Sequence, residues 1–240
     1  MLHNVGINHA SAPLALREQF AIGADRIISS LSDLTHQPGV EEGIVVSTCN
    51  RTEIYAVTDY NDSRQLGEWL GSQGKSQQQP LSSLGPHLYS HQGPQTVTHA
   101  LRVAAGLDSM ILGEPQILGQ MKQAYREAQT AHAVGPLLSR LFEHAFSVAK
   151  QVRSETGIGS HPVSVAYAAV RLAQRIFSDF SRHTAMLIGA GETIELTAHH
   201  LHERNIGRII FANRSLDRAQ RLAARYQGYA IELEAIDAHL

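Results

Sequence analysis

Val5-Gly-Ile7 alternates apolar and small residues as a strand does, and between Ala24 and Leu34 the residues Ile27, Leu31 and Leu34 return at helical spacing. Gly43-Ile-Val-Val46 is a continuous apolar run that predicts a buried strand. Glu53-Ile-Tyr-Ala-Val57 predicts another, after the polar interruption Cys49-Asn-Arg51. A helix carrying Leu66, Trp69 and Leu70 follows. Gly71 to Gly85, rich in Gln, Ser and Gly, has no apolar period and predicts a loop. From Pro94 the period turns helical, with Val97, Ala100, Leu101 and Ala104 as its apolar stripe. Pro94 suits the first turn because its missing N–H has no helical partner there. Two more helices are expected after an interruption from Gly106 to Pro115. The second enters at Gly135-Pro136, lines one face with Leu138, Leu141, Phe142, Ala145, Ala149 and Val152, and ends at Gly157 and Gly159.

Beyond that point the pattern changes. A helix near Val163 to Phe177 leads to a strand Ala185-Met-Leu-Ile188, a glycine turn Gly189-Ala-Gly191, a helix from Glu192 to Arg204 and a strand Arg208-Ile-Ile-Phe211. A helix Leu216 to Tyr226 and a strand Tyr229 to Leu233 complete the run. Strand, glycine turn, helix, strand is the order of a dinucleotide-binding unit. The chain thus divides into residues 1–158, with mixed strands and helices, and residues 159–240, an incomplete nucleotide-binding unit.

Composition narrows the function classes. A chain of 240 residues can bury two cores without staples. A formal charge of −2 excludes a globally basic nucleic-acid binder, so any RNA contact is regional. The single cysteine makes no internal disulfide, and with no N-terminal apolar targeting run a cytoplasmic protein is expected. No stretch approaches the ~20 apolar residues of a membrane helix. His199, His200 and His202 beside Glu203 suggest metal, but nothing elsewhere completes a recognised ligand spacing, and no metal is expected.

Gly189 and Gly191 fill the first two glycine positions of G-x-G-x-x-G, with Ile194 in the third. They allow a tight turn and a close approach of backbone to pyrophosphate at a helix N-terminus. An NAD site places an acid at the end of the next strand. Here Asn213-Arg214-Ser215 stands instead, a cation with polar donors suited to a 2′-phosphate, although Arg214 also reads as a solvated turn residue. Cys49 follows a strand and neighbours Arg51, whose cation would favour a thiolate. Composition alone, however, favours a core filler, because unpaired cysteines are among the most buried residues. His99 lies opposite the apolar stripe of its helix and is expected to face solvent or a cleft.

Ser47-Thr-Cys-Asn-Arg-Thr-Glu53 resembles the active-site signature of glutamyl-tRNA reductases. So does Gly106-Leu-Asp-Ser-Met-Ile-Leu-Gly-Glu-Pro-Gln-Ile-Leu-Gly-Gln120, a run too long to arise readily by chance. Gly189-Ala-Gly-Glu-Thr-Ile194 and the opening Gly6-Ile-Asn-His9 are also similar to this family, and the resemblance covers the whole chain in order. It implies a fold of α/β and α+β class. An N-terminal α+β catalytic domain that binds glutamyl-tRNA (1–158) is followed by a truncated Rossmann-like NADP-binding domain (159–240). The family's further C-terminal helical domain implies a homodimer of the full-length protein.

The same resemblance implies residue roles. Cys49 is the nucleophile within the substrate-binding run Thr48, Cys49, Asn50 and Arg51. Ser109, Glu114, Pro115, Gln116 and Gln120 surround the glutamyl group, and His99 matches a histidine important for activity. Gly189, Ala190, Gly191, Glu192, Thr193 and Ile194, with Asn213, Arg214 and Ser215, hold NADPH. The implied reaction is reduction of glutamyl-tRNA(Glu) through a Cys49 thioester to glutamate-1-semialdehyde, for which an aminomutase is the implied downstream partner. A chain ending at Leu240 is expected to keep acylation more than reduction. Two other readings stay open from the residues: an ordinary NADP-linked dehydrogenase with a structural Cys49, and a noncatalytic module that binds tRNA or a protein.

Overall fold

The structure is a computed structural model that describes residues 1–74, 84–159 and 165–239. It divides into two compact units, Met1–His161 and Pro162–Leu240.

The first unit is built on a four-stranded antiparallel sheet in the order β2-β3-β1-β4, with β1 Leu2–Asn8, β2 Val40–Ser47, β3 Arg51–Thr58 and β4 Tyr89–Gln92. Helices α1 (Leu14–Phe20) and α2 (Ile27–Thr35) separate β1 from β2, and α3 (Arg64–Ser72) lies between β3 and β4. This βαββαβ order with antiparallel pairing is the ferredoxin-like arrangement. Helices α4 (Pro94–Ala104), α5 (Gln116–Thr130) and α6 (Pro136–Glu155) follow, and α5 and α6 pack on β2. Val5, Ile7, Leu31, Leu34, Ile44, Ile54, Leu70 and Phe142 form the centre of the core. Every residue of β3 is buried, because it lies between β2 and β1 with helices against the sheet.

Gly6 is paired with Glu53 across β1 and β3. A Cβ there would stand 2.6 Å from the Thr52 carbonyl oxygen and 2.8 Å from Glu53 Cγ. The glycine makes room for the Glu53 side chain. Gly6→Ala is expected to lower stability by roughly 1–3 kcal/mol through overpacking, measured as the shift of the urea unfolding midpoint.

The second unit holds a parallel sheet in the order β5-β6-β7, with β5 Thr184–Ile188, β6 Arg208–Ala212 and β7 Tyr229–Ile231. Helix α7 (Val165–Ile176) precedes it, and α8 (Glu192–His202) and α9 (Leu216–Tyr226) are the crossovers. The core gathers Val170, Leu187, Ala198, Leu201, Ile209, Phe211, Leu222 and Tyr226. Three parallel strands joined by helices form a mononucleotide-binding half of a Rossmann-like sheet.

Several expectations are corrected. The buried face of α4 carries Thr96, His99, Ala100, Val103 and Ala104, rotated from the expected stripe, with Val97 and Leu101 at its margin. Helix α1 and strand β4 were not foreseen. The last strand ends at Ile231 rather than Leu233, and a 3-10 segment Leu233–His239 follows. Of the expected loop 71–85, residues 75–83 lie outside the described residues, while Gly71 and Ser72 finish α3. Among the described residues no helix is long and apolar enough to cross a membrane.

Candidate functional site

Thr48, Cys49 and Asn50 form the tip of the β2–β3 hairpin. The turn closes through Thr48 N–H donating to the Arg51 carbonyl at 2.8 Å. Thr48 Oγ1 accepts from the Asn50 and Arg51 N–H groups, each at 3.1 Å, so a short hydroxyl side chain holds the turn from within. Cys49 is exposed at this tip, which removes the core-filler reading. The cation on the turn is Arg17, whose Nη1 donates to the Cys49 carbonyl at 2.5 Å and to Asn50 Oδ1 at 3.3 Å.

Arg51 turns inward and is 1% exposed. The strand period places Arg51, Glu53 and Tyr55 on one face of β3. Arg51 Nη1 reaches Glu53 Oε1 at 2.5 Å, and Nη2 donates to the Asp108 backbone carbonyl and to Asp108 Oδ1 at 3.2 Å. Glu53 Oε1 also accepts from the Tyr89 hydroxyl at 2.5 Å and His99 Nε2 at 2.9 Å, and Oε2 accepts from the Tyr55 hydroxyl at 2.7 Å. Burial is the largest influence on Glu53 and pushes its carboxyl up. The Arg51 cation and the donors His99 and Tyr89 together outweigh it and hold the carboxyl at about 2. Burial opposes the Arg51 charge as well, but Glu53 leads the groups that keep it more firmly protonated than a free guanidinium.

An ionised carboxylate only accepts, so His99 Nε2 carries the proton of this bond. The other ring nitrogen, Nδ1, has no hydrogen bond among the described residues. His99 is buried rather than solvated, yet it lines a cavity of about 730 Å³ together with Asn8, Tyr89, His91, Arg102 and Asp108. The cleft expectation therefore describes it better than the solvent one. Its burial follows from the polar partner beneath it, which the apolar period of α4 does not reveal.

Asp108 ties the loop between α4 and α5 to β3, and Asn8 Nδ2 reaches it at 3.4 Å. Gly106 and Gly113 bracket this loop with φ of 76° and 79°, and Gly113 N–H donates to the Gly106 carbonyl at 2.8 Å. Glu114 is buried, which raises its carboxyl; the Ser109 hydroxyl, nearby without a hydrogen bond of full geometry, and the Arg51 cation oppose that rise. Pro115 and Gln116 begin α5, and Gln120 lies one turn on, exposed. The Gln116 and Gln120 side chains make no hydrogen bond among the described residues. Arg51, His99 and the Asp108–Ser109 corner are thus brought together, whereas Gln116 and Gln120 stay outside that network. Glu53, Tyr55, Tyr89, Asp108 and Arg17 were not singled out from sequence.

In the second unit Gly189 has φ of 112°, a conformation side chains rarely adopt, and its N–H donates to the Ala212 carbonyl at 2.7 Å. Ala190 and Gly191 lead into α8, whose exposed first residues are Glu192 and Thr193, while Ile194 packs on the core. Gly189 shares a cavity of about 570 Å³ with Asn213, Arg214, Ser215 and Arg218. Two guanidinium groups and no carboxylate line it, which fits a nucleotide bearing an extra phosphate. His199 and His200 each approach Glu203 at 3.4 Å.

The sequence model of the glutamyl-tRNAGlu reductase N-terminal domain matches residues 5–156, and that of shikimate/quinate 5-dehydrogenase matches residues 171–240. The chain is 52% identical over 236 residues to glutamyl-tRNA reductase of Methylococcus capsulatus, covering 98% of this chain and 56% of that protein. It is 47% identical over 239 residues to that of Halorhodospira halophila, covering 100% and 53%. The solved glutamyl-tRNA reductase from Methanopyrus kandleri matches with a TM-score of 0.64 at 30% identity, over 99% of this chain and 55% of that one. The chain spans about half the length of the curated relatives it matches.

Proposed function

Because the chain belongs to the glutamyl-tRNA reductase family, we propose that it performs the acyl-accepting part of the NADPH-dependent reduction of glutamyl-tRNA(Glu) to glutamate-1-semialdehyde, the first step of tetrapyrrole formation. The observation that carries this is the exposure of Cys49 at the tip of a side-chain-braced turn, two residues before the buried Arg51–Glu53 stripe. The Cys49 sulfur attacks the glutamyl ester carbonyl, the bond to the ribose oxygen breaks, and a thioester forms. His99 Nδ1 accepts the thiol proton and delivers it to the departing ribose oxygen, while Glu53 holds the ring through Nε2. For Arg51 to take the substrate γ-carboxylate, the Asp108 carboxylate at 3.2 Å must give way. Thr48 and Asn50 shape the turn, and Ser109, Glu114, Pro115, Gln116 and Gln120 complete the glutamyl site.

NADPH, when bound, supplies the hydride that converts the thioester to the aldehyde. Gly189, Ala190, Gly191, Glu192, Thr193 and Ile194 would hold its pyrophosphate, and Asn213, Arg214 and Ser215 would hold its 2′-phosphate. Arg214→Asp is expected to weaken NADPH binding about tenfold or more and leave NADH unchanged, since it replaces a charge-assisted contact with repulsion; a fluorescence titration with both cofactors checks it. The full-length protein acts in the cytoplasm as a homodimer and hands its labile aldehyde to an aminomutase.

The test is to mix the chain with glutamyl-tRNA in the absence of NADPH and map covalent adducts by mass spectrometry. A glutamyl mass on the peptide containing Cys49 supports the thioester. Intact ester with folded protein opposes it.

A further inference from the structure

Arg17, half-buried on α1, forms no ion pair among the described residues and spends its donors on neutral oxygens. Its Nε donates to the Ala12 carbonyl at 3.2 Å, while Nη1 donates to the Cys49 carbonyl at 2.5 Å and to Asn50 Oδ1 at 3.3 Å. One planar group therefore joins the segment before α1 to the tip of the β2–β3 hairpin. Ala12 in turn donates its N–H to the Asn8 carbonyl at 2.9 Å, and Asn8 Nδ2 reaches Asp108 at 3.4 Å. The far end of α1 is fastened to the same hairpin, where the Ile22 N–H donates to Ser47 Oγ at 2.9 Å. The tip is linked to the Asp108 corner by two arginines, Arg51 from within and Arg17 by way of Ala12 and Asn8.

Resting on the acyl-transfer reading above, we propose that Arg17 is a positioning residue for Cys49: it fixes the peptide plane between Cys49 and Asn50, and with it the direction in which the thiol leaves the turn. The Cys49 carbonyl and the Asn50 N–H belong to one peptide group, which is planar and moves as a unit. Thr48 Oγ1 accepts from its N–H edge at 3.1 Å, and Arg17 holds its carbonyl edge. Without Arg17 that plane is held on one side only and is free to rock about the Thr48 contact. Cys49 is exposed, so packing does not replace the missing restraint. The guanidinium is suited to this task because its rigid fork serves the Cys49 carbonyl and the Asn50 amide oxygen together, which the point charge of a lysine does not match. Orientation matters here because the sulfur must meet the ester carbonyl at a defined distance and angle, and a misplacement of about 1 Å costs roughly 10²-fold.

The test is single-turnover transfer from glutamyl-tRNA, with protein in excess and no dinucleotide, which gives a limiting rate and a half-saturating concentration. Arg17→Gln is expected to lower the limiting rate on the order of 10–100-fold and to leave the half-saturating concentration within about twofold, with Arg17→Lys recovering part of the rate. Alkylation of Cys49 by iodoacetamide, which needs the thiolate but no set approach, is expected to stay within about threefold of wild type. A raised half-saturating concentration at unchanged rate would place Arg17 on the RNA, and a parallel fall in alkylation would place it on the reactivity of the thiol. Either result overturns the positioning role, as does an unchanged limiting rate. Amide exchange reads the brace with no acyl donor present. Arg17→Gln is expected to speed exchange at Asn50 and Arg51 about tenfold while α6 keeps its protection. Unchanged exchange at the tip, or lost protection in α6 as well, overturns the proposal. A wild-type chain that takes no glutamyl group, but whose tip loosens in Arg17→Gln, would remove the thioester reading and leave the brace standing.

Discussion

Cys49→Ser is expected to lower glutamyl transfer on the order of 10³-fold or more while leaving the fold intact. A hydroxyl is a far weaker nucleophile than a thiol at neutral pH, and removal of the group that makes the covalent bond is among the largest single losses in enzyme kinetics. The structure gives the reason for the unchanged fold. Cys49 is exposed, its side chain makes no hydrogen bond among the described residues, and the turn is held by Thr48 Oγ1 and the Arg17–carbonyl contact. Unchanged thermal unfolding together with loss of the adduct supports the assigned role. A full adduct yield from the Ser variant, or a shift of more than a few degrees in Tm, would assign Cys49 to structure instead.

Glu53→Gln is expected to lower stability by about 3–5 kcal/mol. The amide is nearly the same size but removes the charge opposite Arg51, and leaving one member of a buried ion pair uncompensated is strongly destabilising. Asp108 compensates only in part, since it is a quarter exposed while Arg51 and Glu53 are almost wholly buried. The pH dependence follows from the lowered carboxyl. Its ordinary value is 4.5 and its folded value about 2. The ionised carboxylate therefore contributes stability that is fully present above about 4.5 and lost as the pH falls through about 2. The span between the two values corresponds to about 3 kcal/mol. Denaturant melts at a series of pH values should show the gap between wild type and Glu53→Gln closing between pH 4.5 and 2. A gap that stayed constant over that range would contradict the ionised buried carboxylate.

Elements with a one-sided apolar pattern could be read directly from the sequence. Helix α6 shows Leu138, Leu141, Phe142, Ala145 and Ala149 on its buried face as the period predicts, and β2 and β6 carry the short apolar runs Ile44-Val-Val46 and Ile209-Ile-Phe-Ala212. The pattern fails where the interior is polar. Helix α4 buries His99 because Tyr89, Tyr55 and Glu53 lie nearby, and buries Thr96 on the same face, so a period search that equates buried with apolar rotates the helix. Strand β4, Tyr-Ser-His-Gln, is hidden for the same reason: it is a short edge strand whose Tyr89 and His91 side chains lie against His99. Helix α1 is seven residues long and has no side-chain cap to announce it.

The candidate site was legible as a set of motifs and only partly as an arrangement. Cys49 and His99 stand out by resemblance, whereas the inward turn of Arg51 does not. A clue was present, since Arg51, Glu53 and Tyr55 alternate within a strand whose other residues are mostly apolar, and strand periodicity puts all three on one face. In the second unit the glycine turn and Asn213-Arg214-Ser215 meet in one cavity as the strand order implies, and Arg218, one helical turn further on, joins them.

The Arg51–Glu53 pair also bears on how this protein would respond to selection for heat resistance. Well-packed apolar residues of similar volume often replace a buried ion pair with neutral or favourable effect on stability, and improvement in stability at such places commonly sacrifices activity. A library sorted only for survival at high temperature should therefore accumulate paired apolar substitutions at positions 51 and 53. The survivors would melt higher and leave His99 without the carboxylate that holds its ring, so that robustness in this scaffold, pursued alone, dismantles the polar centre beneath the turn while the thiol itself remains in place.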